Sequence, residues 1–109
     1  MDFCKVTAII RPEYLEIVER ALQKQGVPGV SVSKVKGYGE YADFYTADWM
    51  CTHARVEVFV GRHRAEQVAE AIMDAAHTGV VGDGIVAVLP VESVYHIRTR
   101  EKCQHDTCE

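Results

Sequence analysis

The order of hydrophobic patterns constrains the fold of this chain more than any single motif. Two segments with strand character sit back to back at residues 30–35 and 55–60, and an amphipathic helix pattern separates each from a further strand. Residues 3–10, Phe-Cys-Lys-Val-Thr-Ala-Ile-Ile, are rich in β-branched side chains and suit a half-buried strand. Pro12 fits the first turn of a helix, where its missing N–H costs no hydrogen bond, and Glu13 and Glu16 lie near the positive end of the helix dipole. Leu15, Val18, Leu22 and Gln25 recur at helical spacing, with Ile17 and Ala21 widening the stripe, until Gly26 and Pro28 end it.

In residues 30–35 the alternation predicts burial of Val30 and Val32, with Ser31 and Ser33 facing the other way. Residues 55–60, Arg-Val-Glu-Val-Phe-Val, pair with that strand as a long hairpin. Between them, residues 40–53 read as an aromatic, polar and aperiodic loop, longer than a tight turn needs. Val68, Ala69, Ile72, Met73 and Ala76 mark a second helix closed by Thr78-Gly79; residues 85–89 form a buried strand and 94–98 a short fifth one. The expected class is α+β, a ferredoxin-like βαββαβ fold with a short extra C-terminal strand.

With 109 residues the chain has room for one core, and 48% hydrophobic against 26% charged residues is the balance of a folded globular domain. A net charge of -4 argues against nucleic acid, because neutralising phosphates needs a Lys/Arg excess. The N-terminal apolar run is too short and interrupted for a secretory or membrane segment, so a cytoplasmic location without direct membrane insertion is expected. Of four cysteines, Cys4 falls in a strand and Cys51 in the loop, leaving Cys103 and Cys108 as a local pair. His53, His63 and His77 read as surface histidines.

Chemistry concentrates at glycines. Thr78-Gly79-Val80-Val81-Gly82-Asp83-Gly84 can bring backbone N–H groups close to an anion, although taken alone it is equally a helix cap and tight turn. It is neither a Walker A loop nor G-x-G-x-x-G after a strand. Two further segments carry phosphate-binding types: Gly37-Tyr38-Gly39 and His96-Ile97-Arg98-Thr99-Arg100.

Together Val35-Lys36-Gly37-Tyr38-Gly39, Arg55-Val56-Glu57-Val58, Thr78-Gly79-x-x-Gly82-Asp83-Gly84 and Ile97-Arg98-Thr99 resemble the PII signal-transduction family over residues 3–101. The resemblance implies a non-enzymatic homotrimer with an adenine-nucleotide site in each cleft between subunits, and a mobile loop, here 40–53, that touches a target protein. By position, Gly29 and Ser31 with Glu57 and Phe59 would hold the adenine. Gly37, Tyr38 and Gly39 would approach the phosphates, Gly82-Asp83-Gly84 would close over them, and His96 and Arg98 would stand where the family has two phosphate-binding arginines. No cofactor or metal is implied.

The departures are informative. Ile85 replaces the lysine that follows Gly-Asp-Gly in nitrogen-regulatory members, and His96 replaces an arginine, so ADP or AMP is expected to bind better than ATP. Tyr41 and His53 stand where the family holds 2-oxoglutarate with a glutamine and a lysine. These losses are similar to the PII-like branch of inorganic-carbon metabolism, whose members accompany bicarbonate transporters or carboxysomes. That likeness implies bicarbonate as a co-effector, with Arg98, Arg100 and Gly39 as candidate contacts, a carboxysome association, and a redox pair Cys103 and Cys108 in the tail 102–109. A reduced, frayed tail, or zinc held by Cys103, His105 and Cys108, are the alternatives for that tail. Phe44, Tyr45 and Trp49 are either a recognition patch or a fold of the loop onto its own trimer. Rival readings of the whole are a slow, redox-controlled nucleotide phosphohydrolase, a nitrogen-regulatory PII protein, and a metal-tolerance-type trimer without nucleotide.

Overall fold

The computed structural model describes residues 2–38 and 51–104. β1 (Phe3–Ile10) is central, paired antiparallel on one side with β3 (Cys51–Gly61) and on the other with β4 (Gly84–Val91), while β2 (Ser31–Gly37) pairs antiparallel with the far edge of β3. The resulting four-stranded sheet has the order β2-β3-β1-β4. α1 (Leu15–Lys24) carries the chain from β1 past β3 to β2, and α2 (Ala65–Ala76) carries it from β3 past β1 to β4. This is the ferredoxin-like arrangement.

One sheet face is the core. Cys4, Val6, Ala8 and Ile10 of β1 and Ala54, Val56, Val58 and Val60 of β3 lie under Val18 and Leu22 of α1 and Val68, Ala69, Ile72 and Ala76 of α2. Each Val, Leu or Ile buried there contributes about 1.5–3 kcal/mol. α1 ends as its sequence predicts: Gly26 takes φ 76, the Gly26 amide donates to Gln23 O at 3.0 Å, and the Val27 amide donates to Leu22 O at 3.1 Å. Val27 and Leu22 are both buried, which adds the apolar contact that accompanies this cap. Arg64 donates to the Gln25 carbonyl and so ties the start of α2 to the end of α1.

Several expectations are corrected. The extra strand over 94–98 does not form; Tyr95 makes an isolated bridge with Lys102, and the chain turns at residues 97–99. Backbone bonds from His96 N to Glu101 O, Arg100 N to His96 O and Cys103 N to Val94 O close that turn on itself, so its hydrogen bonds are not available to the sheet. β3 begins at Cys51, which moves Cys51, Thr52 and His53 out of the predicted loop and into the sheet. His53 is buried, not a surface histidine, whereas His63 and His77 are exposed. Val32 is exposed although it sits opposite the fully buried Val56, because β2 is an edge strand that the helices do not cover. Ile17 and Met73 also fall outside the core. Residues 40–50, with Tyr41, Phe44, Tyr45 and Trp49, lie outside the described residues, as do Gly39, His105 and Cys108.

Candidate functional site

The segment 78–84 joins α2 to β4, and Asp83 folds it. Its Oδ2 accepts the amides of Thr78 at 2.8 Å and Gly79 at 2.9 Å, and its Oδ1 accepts the Thr78 hydroxyl. Arg11, just past β1, reaches the same loop: Nε lies 3.4 Å from Asp83 Oδ1, and Nη2 donates to the Val81 carbonyl at 3.0 Å. Burial pushes the Asp83 carboxyl up, but the bonds from the Thr78 hydroxyl, the Thr78 and Gly79 amides and Arg11 outweigh it and hold the pKa at about 2. The carboxylate is therefore ionised throughout the neutral range and committed to the loop's own groups.

Two glycines are required by geometry. Gly84 has φ 111 and begins β4 opposite Ile10; a Cβ there would stand 1.8 Å from the Ile9 carbonyl oxygen. Gly82 has φ 105 and is buried. Both conformations are open to glycine at no steric cost and to other residues only under strain. The loop is thus held to the end of β1 by a backbone contact at Ile9 and a guanidinium clamp at Arg11.

The candidate adenine residues lie on the sheet face opposite the helices. Ser31 is the register partner of Glu57, and Glu57 and Phe59 alternate along β3 beside Thr7 and Lys5 of β1. Glu57 Oε2 is 3.4 Å from Lys5 Nζ and accepts the Thr7 hydroxyl at 3.2 Å. Phe59 is 47% exposed, and Ile85 and Leu89 of β4 are exposed on the same face, so the ion pair stands in an uncovered apolar surface. Gly29 precedes β2 with open space around it.

The remaining candidates are dispersed. Gly37 ends β2 opposite Cys51, and Tyr38 beyond it is exposed. Gly37 and the loop 78–84 lie at the same end of the sheet but on its two opposite edges, three strand spacings or about 14 Å apart. β4 ends beside Phe3, so the chain enters the turn carrying His96, Arg98 and Arg100 at the other end of the sheet. Arg98 and Arg100 are exposed, and Arg100 has φ 62. Grooves flank the loop, one of about 200 Å³ between α2 and β4 and one of about 570 Å³ beside Arg11, Tyr14 and Ile17; neither is lined by Gly29, Ser31, Glu57 or Phe59. Among the described residues, a single subunit does not gather the candidate residues into either groove.

Cys103 is buried and disulfide-bonded, which removes it as a zinc ligand in this form; Cys4 and Cys51 are buried thiols. Among the described residues no group of three or more His, Cys, Asp or Glu is placed to hold a metal. No helix among them is long and apolar enough to cross a membrane. Arg11 was not legible as a site residue, because its partners lie 70 and 72 positions away and only its place before Pro12 marks it.

Comparison with known proteins agrees with the fold. The profile of the family described as Nitrogen regulatory protein P-II matches residues 3–101. The nitrogen regulatory protein P-II of Azospirillum brasilense is 39% identical over 106 residues, covering 90% of this chain and 94% of that one. Nitrogen regulatory protein GlnK2 of Haloferax mediterranei is 42% identical over 102 residues, covering 86% and 82%. The crystal structure of Arabidopsis thaliana PII bound to citrate superposes with a TM-score of 0.82 at 39% identity, covering 94% of this chain and 90% of that one. With a profile match over almost the whole chain, relatives at this identity and a shared fold, the chain belongs to the nitrogen regulatory protein P-II family.

Proposed function

We propose that this P-II family member is a regulatory protein that senses adenine nucleotides in clefts between the subunits of a homotrimer. The observation that carries the reading is the dispersal of glycine-rich segments within one subunit: Gly37 and the loop 78–84 share an end of the sheet yet lie on opposite edges. A neighbouring copy that sets its β2 edge beside this loop would close a phosphate site that no single chain completes. The exposed Phe59, Ile85 and Leu89 around the Lys5–Glu57 pair give such a neighbour an apolar surface to cover. Within the loop the amides of Thr78, Gly79 and Val80 are engaged, which leaves Val81, Gly82 and Asp83 to offer N–H groups to an anion.

Charge sets the expected preference. Ile85 is apolar, His96 stands in place of an arginine, and Arg98 is the guanidinium of the C-terminal turn's candidate pair. ADP or AMP then binds better than ATP, whose outer phosphate lacks a cation. Signalling runs through residues 40–53 to a target protein, and the inorganic-carbon branch, with a bicarbonate transporter or carboxysome-linked protein as partner, is favoured by Ile85, His96 and the disulfide at Cys103. Bicarbonate itself would be met by Arg98, Arg100 or the Gly39 segment. Calorimetric titration with AMP, ADP and ATP tests the reading: ATP weaker by about tenfold supports it, and no binding of any of the three at millimolar concentration overturns it.

The names of the relatives favour a second reading, nitrogen regulation. It requires 2-oxoglutarate to tighten nucleotide binding, whereas the first reading predicts no effect of that acid.

A further inference from the structure

Arg11 belongs to neither the adenine nor the phosphate set, yet its side chain is four-fifths buried against the loop and makes two contacts there, to a carboxylate and to a carbonyl. We infer that Arg11 is a positioning residue, which fixes the loop 78–84 on the end of β1 in its ligand-accepting form before any nucleotide arrives. The geometry is specific to arginine. One guanidinium spans Asp83 Oδ1 and the Val81 carbonyl, which a lysine ammonium, a point donor, cannot reproduce at both ends. The clamp acts where the loop has fewest other ties: Asp83 already binds back to Thr78 and Gly79, and Gly84 is seated on Ile9, but the Val81 corner is anchored by Arg11. Val81 precedes Gly82, whose amide is one of those offered to the anion in the function proposed above, on which this inference rests for its effect on binding. A loop ordered in advance binds without the cost of ordering at that moment.

The test combines Arg11→Met and Arg11→Lys with Asp83→Asn in the full-length protein. Two readouts need no ligand: hydrogen exchange at the Gly79 and Val80 amides, which are bonded within the loop, and the Asp83 carboxyl titration followed by NMR. In Arg11→Met, exchange at these amides is expected to rise on the order of tenfold, with the Asp83 titration moving toward the ordinary carboxylate range. Arg11→Lys should recover the Asp83 titration in part while leaving exchange at the Val80 amide fast. ADP affinity should fall on the order of tenfold in Arg11→Met, with a smaller further fall when Arg11→Met is added to Asp83→Asn, where only the Val81 bond is left to lose. Equal ADP losses from Arg11→Met in both backgrounds would mean that Arg11 touches the ligand itself, and would overturn the positioning role. Unchanged exchange and an unchanged Asp83 titration would overturn it as well. If the wild-type protein binds no nucleotide, the functional reading fails, and the two ligand-free readouts still decide the inference.

Discussion

The two segments that flank β4 differ in how their shape is maintained. The loop 78–84 is tied to the body of the subunit: Asp83 gathers Thr78 and Gly79, Arg11 reaches in from β1, and Gly84 abuts the Ile9 carbonyl. The turn over 94–103 is tied mainly to itself, through three backbone bonds and one bridge, and it points Tyr95 and Ile97 into solvent, the latter 94% exposed. On the proposed function, a ligand group set in the first loop would be preorganised by its own chain, and one set in the second would acquire its surroundings from a neighbour.

The strongest way to break the comparison is at Gly84. Gly84→Ala places a Cβ against the Ile9 carbonyl in a backbone conformation that alanine avoids, and is expected to cost at least about 3 kcal/mol in urea unfolding. A loss below 1 kcal/mol would mean the loop is not seated on β1. Next is Asp83→Asn, expected to cost about 2 kcal/mol at neutral pH. The same carboxylate gives a pH test with a defined sign. Its folded pKa of about 2 lies below its ordinary value of 3.8, so its stabilisation is complete above that value and is lost as pH falls toward 2. Wild-type stability should decline over that interval by about 2 kcal/mol more than that of Asp83→Asn, and parallel declines would contradict the assignment.

Gly79→Ala, with φ 87 and no more than ordinary van der Waals contact with His77 at the Cβ position, should cost about 1 kcal/mol. The smallest expected change in stability is at Arg98 in the self-contained turn. Arg98→Ala should leave unfolding within about 0.5 kcal/mol of wild type while weakening ADP binding on the order of tenfold. A large loss of stability with unchanged binding would reverse the roles assigned to the two segments.

What could be read in the sequence follows the same division. β1 was legible to the residue, because a β-branched run ended by Arg11-Pro12 has one interpretation. The end of α1 was equally plain from Gly26 and Pro28. The start of β3 was not, since His53 puts an ionisable group at a buried strand position and breaks the hydropathy pattern at Cys51-Thr52-His53. Residues 94–98 alternate like a strand, but a strand needs an edge to pair with, and this segment's backbone bonds go to Arg100, Glu101 and Cys103 of its own turn, with a bridge to Lys102. At the site, Gly82, Asp83 and Gly84 stood out as a glycine motif. Their physical roles depend on Ile9 and Arg11, contacts across more than 70 positions that no local pattern records.

The proposed nucleotide site belongs to two copies of the chain. A crystal structure of the full-length protein with ADP tests it most directly. The expected result is a trimer with ADP in each cleft, its phosphates against Gly37 of one subunit and Gly82 of the next. ADP held entirely by residues of one chain, or bound to a monomer, would contradict it.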